Sequence, residues 1–238
     1  MPTPNRPAEH CGAQRVVFVL IPCSSVPRIV VATLFAFICA DTLLASDAQF
    51  PHRATVPKTI VLFYLNGDND LGPEVLHALD MIETVETGEH LKILALVDGN
   101  HDYLGPYGPE WQGTRLLEIQ QDDEIGSIRS TVIADYGELD LGDTRTLESF
   151  VRYGCSFNAD RYIFAIFAHG RGLIDTNAFS VADDHKSLSL SSDTTSDTQL
   201  SLTAFHAAIK RGLDGRRFDA MVFFTCLANM VEIAYELQ

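Results

Sequence analysis

The sequence predicts an α/β sandwich built around a mostly parallel sheet, and three observations predict it. Four segments of strand length, 60–65, 92–97, 163–168 and 219–224, are apolar almost throughout rather than alternating, as strands covered on both faces must be. Segments with helical spacing of apolar residues stand between them. Short links join the first strand, helix and strand into a βαβ unit, whose crossover connection makes the two strands parallel and is right-handed by default.

Residues 1–48 read as a leader. Arg6, Arg15 and Arg28 precede the mainly apolar stretch Ile29 to Ala40, and small residues follow around Ser46-x-Ala48, a suitable cleavage site for a secretory signal. A second apolar stretch, Val16 to Pro22, lies upstream of it. Pro22, Ser24, Ser25, Pro27 and Arg28 divide the region into pieces too short for a span of about 20 residues. The expectation is export, with membrane contact only through the leader if it stays uncleaved. Residues 49–58, with Pro51 and Pro57, form a linker, and the domain occupies 59–238.

Within the domain, Ile60 to Leu65 is the first buried strand, Asn66 to Asp70 a turn, and Leu76, Leu79, Ile82 and Val85 one side of a helix. Leu91 to Val97 is the second strand. Gly105, Pro106, Gly108 and Pro109 then break the chain, and LLEIQ and STVIADY read as a hairpin beside the sheet. Thr144 to Tyr153 reads as a helix with Thr144 as its cap. The Ser-, Thr- and Asp-rich stretch after Gly172 reads as an exposed loop. Thr203 to Leu213 is a further helix with Phe205, Ala208 and Ile209 inward, and a last helix begins at Leu227.

The net charge of -15, from 17 basic and 32 acidic residues, excludes a nucleic-acid backbone as partner, because that footprint needs clustered Lys and Arg. Of the five cysteines, Cys11, Cys23 and Cys39 fall in the leader. That leaves Cys155 and Cys226 in the body, which is no disulfide framework. Cys155 reads as structural. Cys226 closes one buried strand and precedes a helix, while His169 closes another. In a parallel sheet both emerge on the same edge, where open α/β sheets place their chemistry. A thiol and an imidazole so delivered can form a nucleophilic pair, with His169 as general acid and base.

FDAMVFFTCLANMVEIAYEL resembles the cysteine-bearing motif of the clostripain (C11) cysteine peptidases, and YIFAIFAHGRG resembles their histidine motif. IVLFYLNGDNDL, LKILALVDGN and LGDTRTLESFV resemble, in the family's order, its first strand and turn, its second strand, and the helix before the histidine strand. The resemblance implies a caspase-like three-layer sandwich, incomplete at its C-terminal end. It also implies a cysteine endopeptidase acting on a peptide or protein substrate, with Cys226 as nucleophile and the amides of Gly170 and Cys226 as oxyanion donors. The roughly 50-residue separation of His and Cys in caspases is close to that of His169 and Cys226.

The family usually reads D-A-C-L-M at the nucleophile, where this chain has Phe224, Thr225, Cys226, Leu227 and Ala228. The family's Asp helps hold a basic P1 side chain, so Phe224 and Thr225 as substrate-binding residues imply a P1 preference that is not basic. The Cys/His chemistry requires no cofactor. Calcium dependence in some relatives brings Asp68, Asp70, Asp98, Asp183 and Asp184 into view as oxygen ligands, although Asp68-Asn69-Asp70 lacks the loop of an EF-hand and reads as a capped turn. Relatives can be cut between the histidine and cysteine strands, which makes 187–203 a candidate processing region. Two alternatives stand beside the peptidase: a catalytically inactive clostripain-like remnant, and a receiver-like signalling domain in which Asp68, Asp70 and Asp98 follow parallel strands.

Overall fold

A computed structural model describes residues 15–17, 58–103, 105–108, 111–170, 189–226 and 231–237. Its centre is a seven-stranded sheet in the order β1-β9-β6-β2-β3-β4-β5, in which β1 (Arg15–Val17), β9 (Ala220–Phe224), β6 (Arg161–Phe167), β2 (Thr59–Gly67) and β3 (Leu91–Gly99) run parallel. The antiparallel pair β4 (Gly113–Glu118) and β5 (Thr131–Gly137) extends the far edge. The expected hairpin is therefore part of the sheet, bonded to β3.

Alternation along each strand sorts the core into two layers. Ile60, Leu62 and Tyr64 of β2 face one way with Phe164 of β6 and Phe223 of β9, and there they meet α2 (Thr144–Ser156) and α3 (Leu202–Leu213). Val61, Phe63 and Leu65 face the other way with Ala165, Phe167 and Val222, against α1 (Gly72–Glu83). These two packed faces make the three layers. They also explain why the strands carry unbroken apolar runs. Phe164, fully buried, lies between Phe205 at 5.9 Å and Phe218 at 5.4 Å between ring centroids. Truncating it to alanine should cost about 3–5 kcal/mol.

Two local readings are corrected. The cap of α2 is Asp143, not Thr144: the Asp143 side chain accepts from the amide of Arg145, and Thr144 is already helical. The described part of the hydroxyl-rich stretch is not an exposed loop. It forms the hairpin β7 (Ser189–Asp193) and β8 (Thr198–Ser201), whose residues Leu190 and Leu200 enter the core and whose Ser191 and Asp193 are buried. Asp197 makes the turn in the left-handed region at φ 51°, a conformation that Asp tolerates better than most residues.

At the other edge, Arg15–Val17, which fall within the expected leader, pair in parallel with Ala220 to Val222. Three residues are too few to show a strand period in sequence. The apolar stretch 29–40 and the cleavage site lie outside the described residues, as do Leu227 and Ala228. The described part of the last helix is α4 (Val231–Glu236).

Candidate active site

The candidate residues His169, Gly170 and Cys226 gather where β6 and β9 end, with the turn after β2 beside them. β6 and β9 pair in register up to Phe167 opposite Phe224, so His169 and Cys226 each follow two residues beyond the same rung. Gly170 explains how closely the two loops meet. A side-chain carbon at this position would overlap both Thr225 Oγ1 and the carbonyl oxygen of Cys226. Only the absence of a Cβ lets the histidine loop lie against the cysteine loop. Thr225 Oγ1 is buried there with no hydrogen-bond partner among the described residues. Neither Cys226 nor Cys155 is disulfide-bonded.

His169 Nε2 lies 2.5 Å from Oδ1 of Asp70, in the turn that follows β2. An ionised carboxylate only accepts, so Nε2 carries the proton and Nδ1 is the nitrogen left for proton transfer. The Asp70 side chain is 73% exposed and that of His169 30%, so solvent screens the ion pair and its main effect is to orient the ring. Asp70 is held by the structure of its turn. Asn66 Oδ1 accepts from the Asp68 amide at 3.1 Å, Asn69 Oδ1 accepts from the Leu71 amide at 3.0 Å, and the Asn66 and Asn69 amide groups donate to the Ser192 carbonyl at 3.1 and 3.0 Å.

Phe224 is half-buried and stacks on Phe167, with ring centroids 6.1 Å apart and planes 19° from parallel. Both rings lie on the α1 face of the sheet. This pair forms an apolar step directly ahead of the His169 and Cys226 loops. Cys155, by contrast, is buried in the core on α2, and burial pushes its thiol pKa up.

A second polar centre lies beside the turn. Ligand oxygens of Asp68, Asp98, Glu138 and Asp193 all lie within 4.8 Å of one another. Asp68, Asp98 and Asp193 are buried, and Glu138 is exposed. Burial, followed by the charges of Glu138, Asp193 and Asp68 and opposed by the Thr114 hydrogen bond, pushes Asp98 up to about 8. Burial and the charges of Asp68, Asp193 and Asp140 push Glu138 up to about 7. Asp193 rises to about 6 through burial and its hydrogen bond with Asp68. Burial also acts to raise Asp68, but bonds from Asp193, the Thr195 amide, Asn100 and the Thr195 hydroxyl outweigh it and hold Asp68 below the usual range.

The model of the clostripain family matches residues 63–238. The chain belongs to the clostripain family. Among solved structures it is similar to a secreted C11 cysteine protease from Bacteroides thetaiotaomicron bound to an irreversible peptide inhibitor, with 20% identity, a TM-score of 0.54, and coverage of 76% of this chain and 46% of that one. An inactive zymogen C11 protease from Parabacteroides distasonis is 19% identical with a TM-score of 0.52, covering 79% of this chain and 46% of that one. The protease from B. thetaiotaomicron called iotapain is 15% identical with a TM-score of 0.53, covering 77% and 50%. The chain thus spans about half the length of the solved structures it matches. No curated protein matches it.

This clostripain-family chain has the caspase-like α/β fold that the sequence implied, and the receiver-like alternative falls away with it. Two residues, Glu138 and Asp193, and one contact, that of Asp70 with His169, are not legible in the sequence. Asp70 was visible in the D-N-D-L turn, but its approach to His169 depends on β6 lying beside β2. Glu138 and Asp193 stood in segments without an apolar period, and only the fold brings them to Asp68 and Asp98. Asp70 does not join those carboxylates, and Asp183 and Asp184 lie outside the described residues.

Proposed function

We propose that this chain is the catalytic portion of an exported cysteine endopeptidase that prefers an apolar or small P1 residue. The observation that carries the proposal is the contact of Gly170 with Thr225 and Cys226, which joins the histidine and cysteine loops at one sheet edge. Family membership and the fold of secreted C11 proteases support it. Among the described residues no helix is long and apolar enough to cross a membrane.

In the proposed reaction His169 Nδ1 takes the proton of the Cys226 thiol, the resulting thiolate attacks the scissile carbonyl carbon, and a carbon–sulfur bond forms as the carbonyl electrons move onto oxygen. The amides of Gly170 and Cys226 would donate to that oxyanion. The carbon–nitrogen bond then breaks, and His169 gives its Nδ1 proton to the leaving amine. His169 next takes a proton from water, hydroxide adds to the thioester, and the Cys226 sulfur departs. Asp70 holds the Nε2–H throughout, so that Nδ1 is the nitrogen that gains and loses the proton. The buried Thr225 hydroxyl points to a part in seating the two loops, while Phe224 would meet the substrate.

An apolar P1 preference follows from what Phe224 can offer. A ring gives a cation at most about 0.5–2 kcal/mol, whereas an unpaired guanidinium in a buried pocket costs several kcal/mol. Cys226→Ala and His169→Ala should each abolish peptide hydrolysis while circular dichroism stays native. Turnover retained in either folded variant would refute the proposal.

A further inference from the structure

We propose that Asp68, Asp98, Glu138 and Asp193 bind a hard divalent cation of calcium's size, at a site separate from the thiol and imidazole. The second observation behind it is Asp98. This side chain is fully buried; its Oδ1 accepts from Thr114 Oγ1 at 2.9 Å, and its Oδ2 has no partner. An ionised oxygen buried without a partner is costly. Within the cluster it faces three more carboxylates, and none of the ion pairs among the described residues includes any of the four.

The remaining oxygens are already shaped by donors. Asp193 Oδ2 accepts from the Leu141 amide at 2.8 Å and Oδ1 from the Ser196 amide at 2.9 Å. Asp68 Oδ2 accepts from the Thr195 amide at 2.8 Å, and Oδ1 from the Thr195 hydroxyl at 3.0 Å and from Asn100 Nδ2. Asp68 Oδ1 already accepts two bonds, so Asp68 Oδ2 and the two Asp193 oxygens, which accept one amide each, are the oxygens whose second lone pair remains for a cation.

The donor set is all oxygen, which suits calcium, magnesium or manganese rather than a soft metal. Calcium's ligands lie about 2.3–2.6 Å from the ion, so two of them can stand about 4.6–5.2 Å apart across it. The 4.8 Å limit of the cluster fits that span. Magnesium, at about 2.0–2.1 Å, demands near-ideal octahedral geometry and keeps several waters, so a cluster of four protein carboxylates suits it less than calcium. Bound there, the cation would link the ends of β2 and β3, the residue after β5, and the end of β7.

The test uses the full chain, treated with chelator, then dialysed and titrated with calcium chloride by calorimetry, with melting temperature followed in parallel at neutral pH. One equivalent should bind, the melting temperature should rise, and magnesium should bind more weakly. Glu138→Gln, at the exposed ligand, and Asp98→Asn should each weaken binding about tenfold or more, the scale seen when even an outer partner of a metal ligand is lost. Asp123→Asn, an exposed carboxylate elsewhere, should leave it unchanged. The proposal is overturned if the folded wild-type chain gives neither heat nor thermal shift, which would mean that protons shared among the carboxylates satisfy the cluster. It is also overturned if Glu138→Gln binds as wild type, if Asp123→Asn weakens binding equally, or if magnesium binds as tightly. None of these readouts depends on peptidase activity.

Discussion

His169 Nε2 and Asp70 Oδ1, 2.5 Å apart, join the loop after β6 to the turn after β2. The contact spans two neighbouring strands of the sheet. It gives the imidazole a defined tautomer without a buried charge. A hydrogen bond to a charged partner contributes about 1.5–3 kcal/mol, and exposure of Asp70 puts this one at the lower end. Asp70→Asn should therefore lower kcat about tenfold with KM little changed, which steady-state kinetics on a peptide substrate will measure. An unchanged kcat would remove Asp70 from the orienting role.

Gly170 tolerates no side chain because Thr225 Oγ1 and the Cys226 carbonyl occupy the space. A methyl group meeting backbone must push the two loops apart. Since catalytic geometry is sensitive to displacements of about 1 Å, with losses of about 100-fold, Gly170→Ala should reduce kcat/KM by about that factor. Far-ultraviolet circular dichroism should stay native, because the shift is confined to loops beyond the strands. Thr225→Ser in the same background should not restore activity, since its hydroxyl and the backbone clash both remain.

Cys155 and Cys226 should separate by reactivity. Burial raises the Cys155 thiol pKa, so near neutral pH this group stays protonated, and only the thiolate reacts with alkylating reagents. The sign is that labelling of Cys155 falls behind that of an ordinary thiol below its usual titration range and increases only at more alkaline pH or on unfolding. Peptide mapping after brief iodoacetamide treatment at pH 7 should find Cys226 modified and Cys155 intact. Equal labelling in the folded chain would contradict the assignment of Cys155 to the core.

The half-buried Phe224 stacks on the buried Phe167 at the lip of the sheet, and the pair offers a cation no carboxylate. Phe224→Asp should move P1 preference toward Arg and Lys, at some cost in stability from the lost ring contact of about 0.5–1.5 kcal/mol. A P1-varied peptide library checks this. Dominant cleavage after Arg or Lys by the unsubstituted chain would refute the role given to Phe224.

Much of the fold was legible because β2, β3, β6 and β9 are buried on both faces, and their apolar runs therefore stand out. The placing of His169 and Cys226 at one sheet edge was legible for the same reason, since each follows such a run. The β7–β8 hairpin was not. Its only large apolar contributions are Leu190 and Leu200, and its buried Ser191 and Asp193 are satisfied by partners distant in sequence, Asn66 and the Leu141 amide among them. Such polar burial has no periodic signature. The Asp143 cap was missed by one position because Asp143 and Thr144 are both capping residue types, and backbone conformation decides between them. The carboxylate cluster draws on four separate segments, so no spacing rule could have assembled it.

In the proposed mechanism Cys226, oriented beside His169, is the nucleophile. This role is tested most directly by incubating the folded full chain with an irreversible peptidyl electrophile bearing leucine at P1, followed by mass spectrometry of the peptide containing Cys226. One covalent adduct should form on Cys226, absent in Cys226→Ala and strongly slowed in His169→Ala. No adduct on the folded wild-type chain, or equal labelling with and without His169, would contradict it.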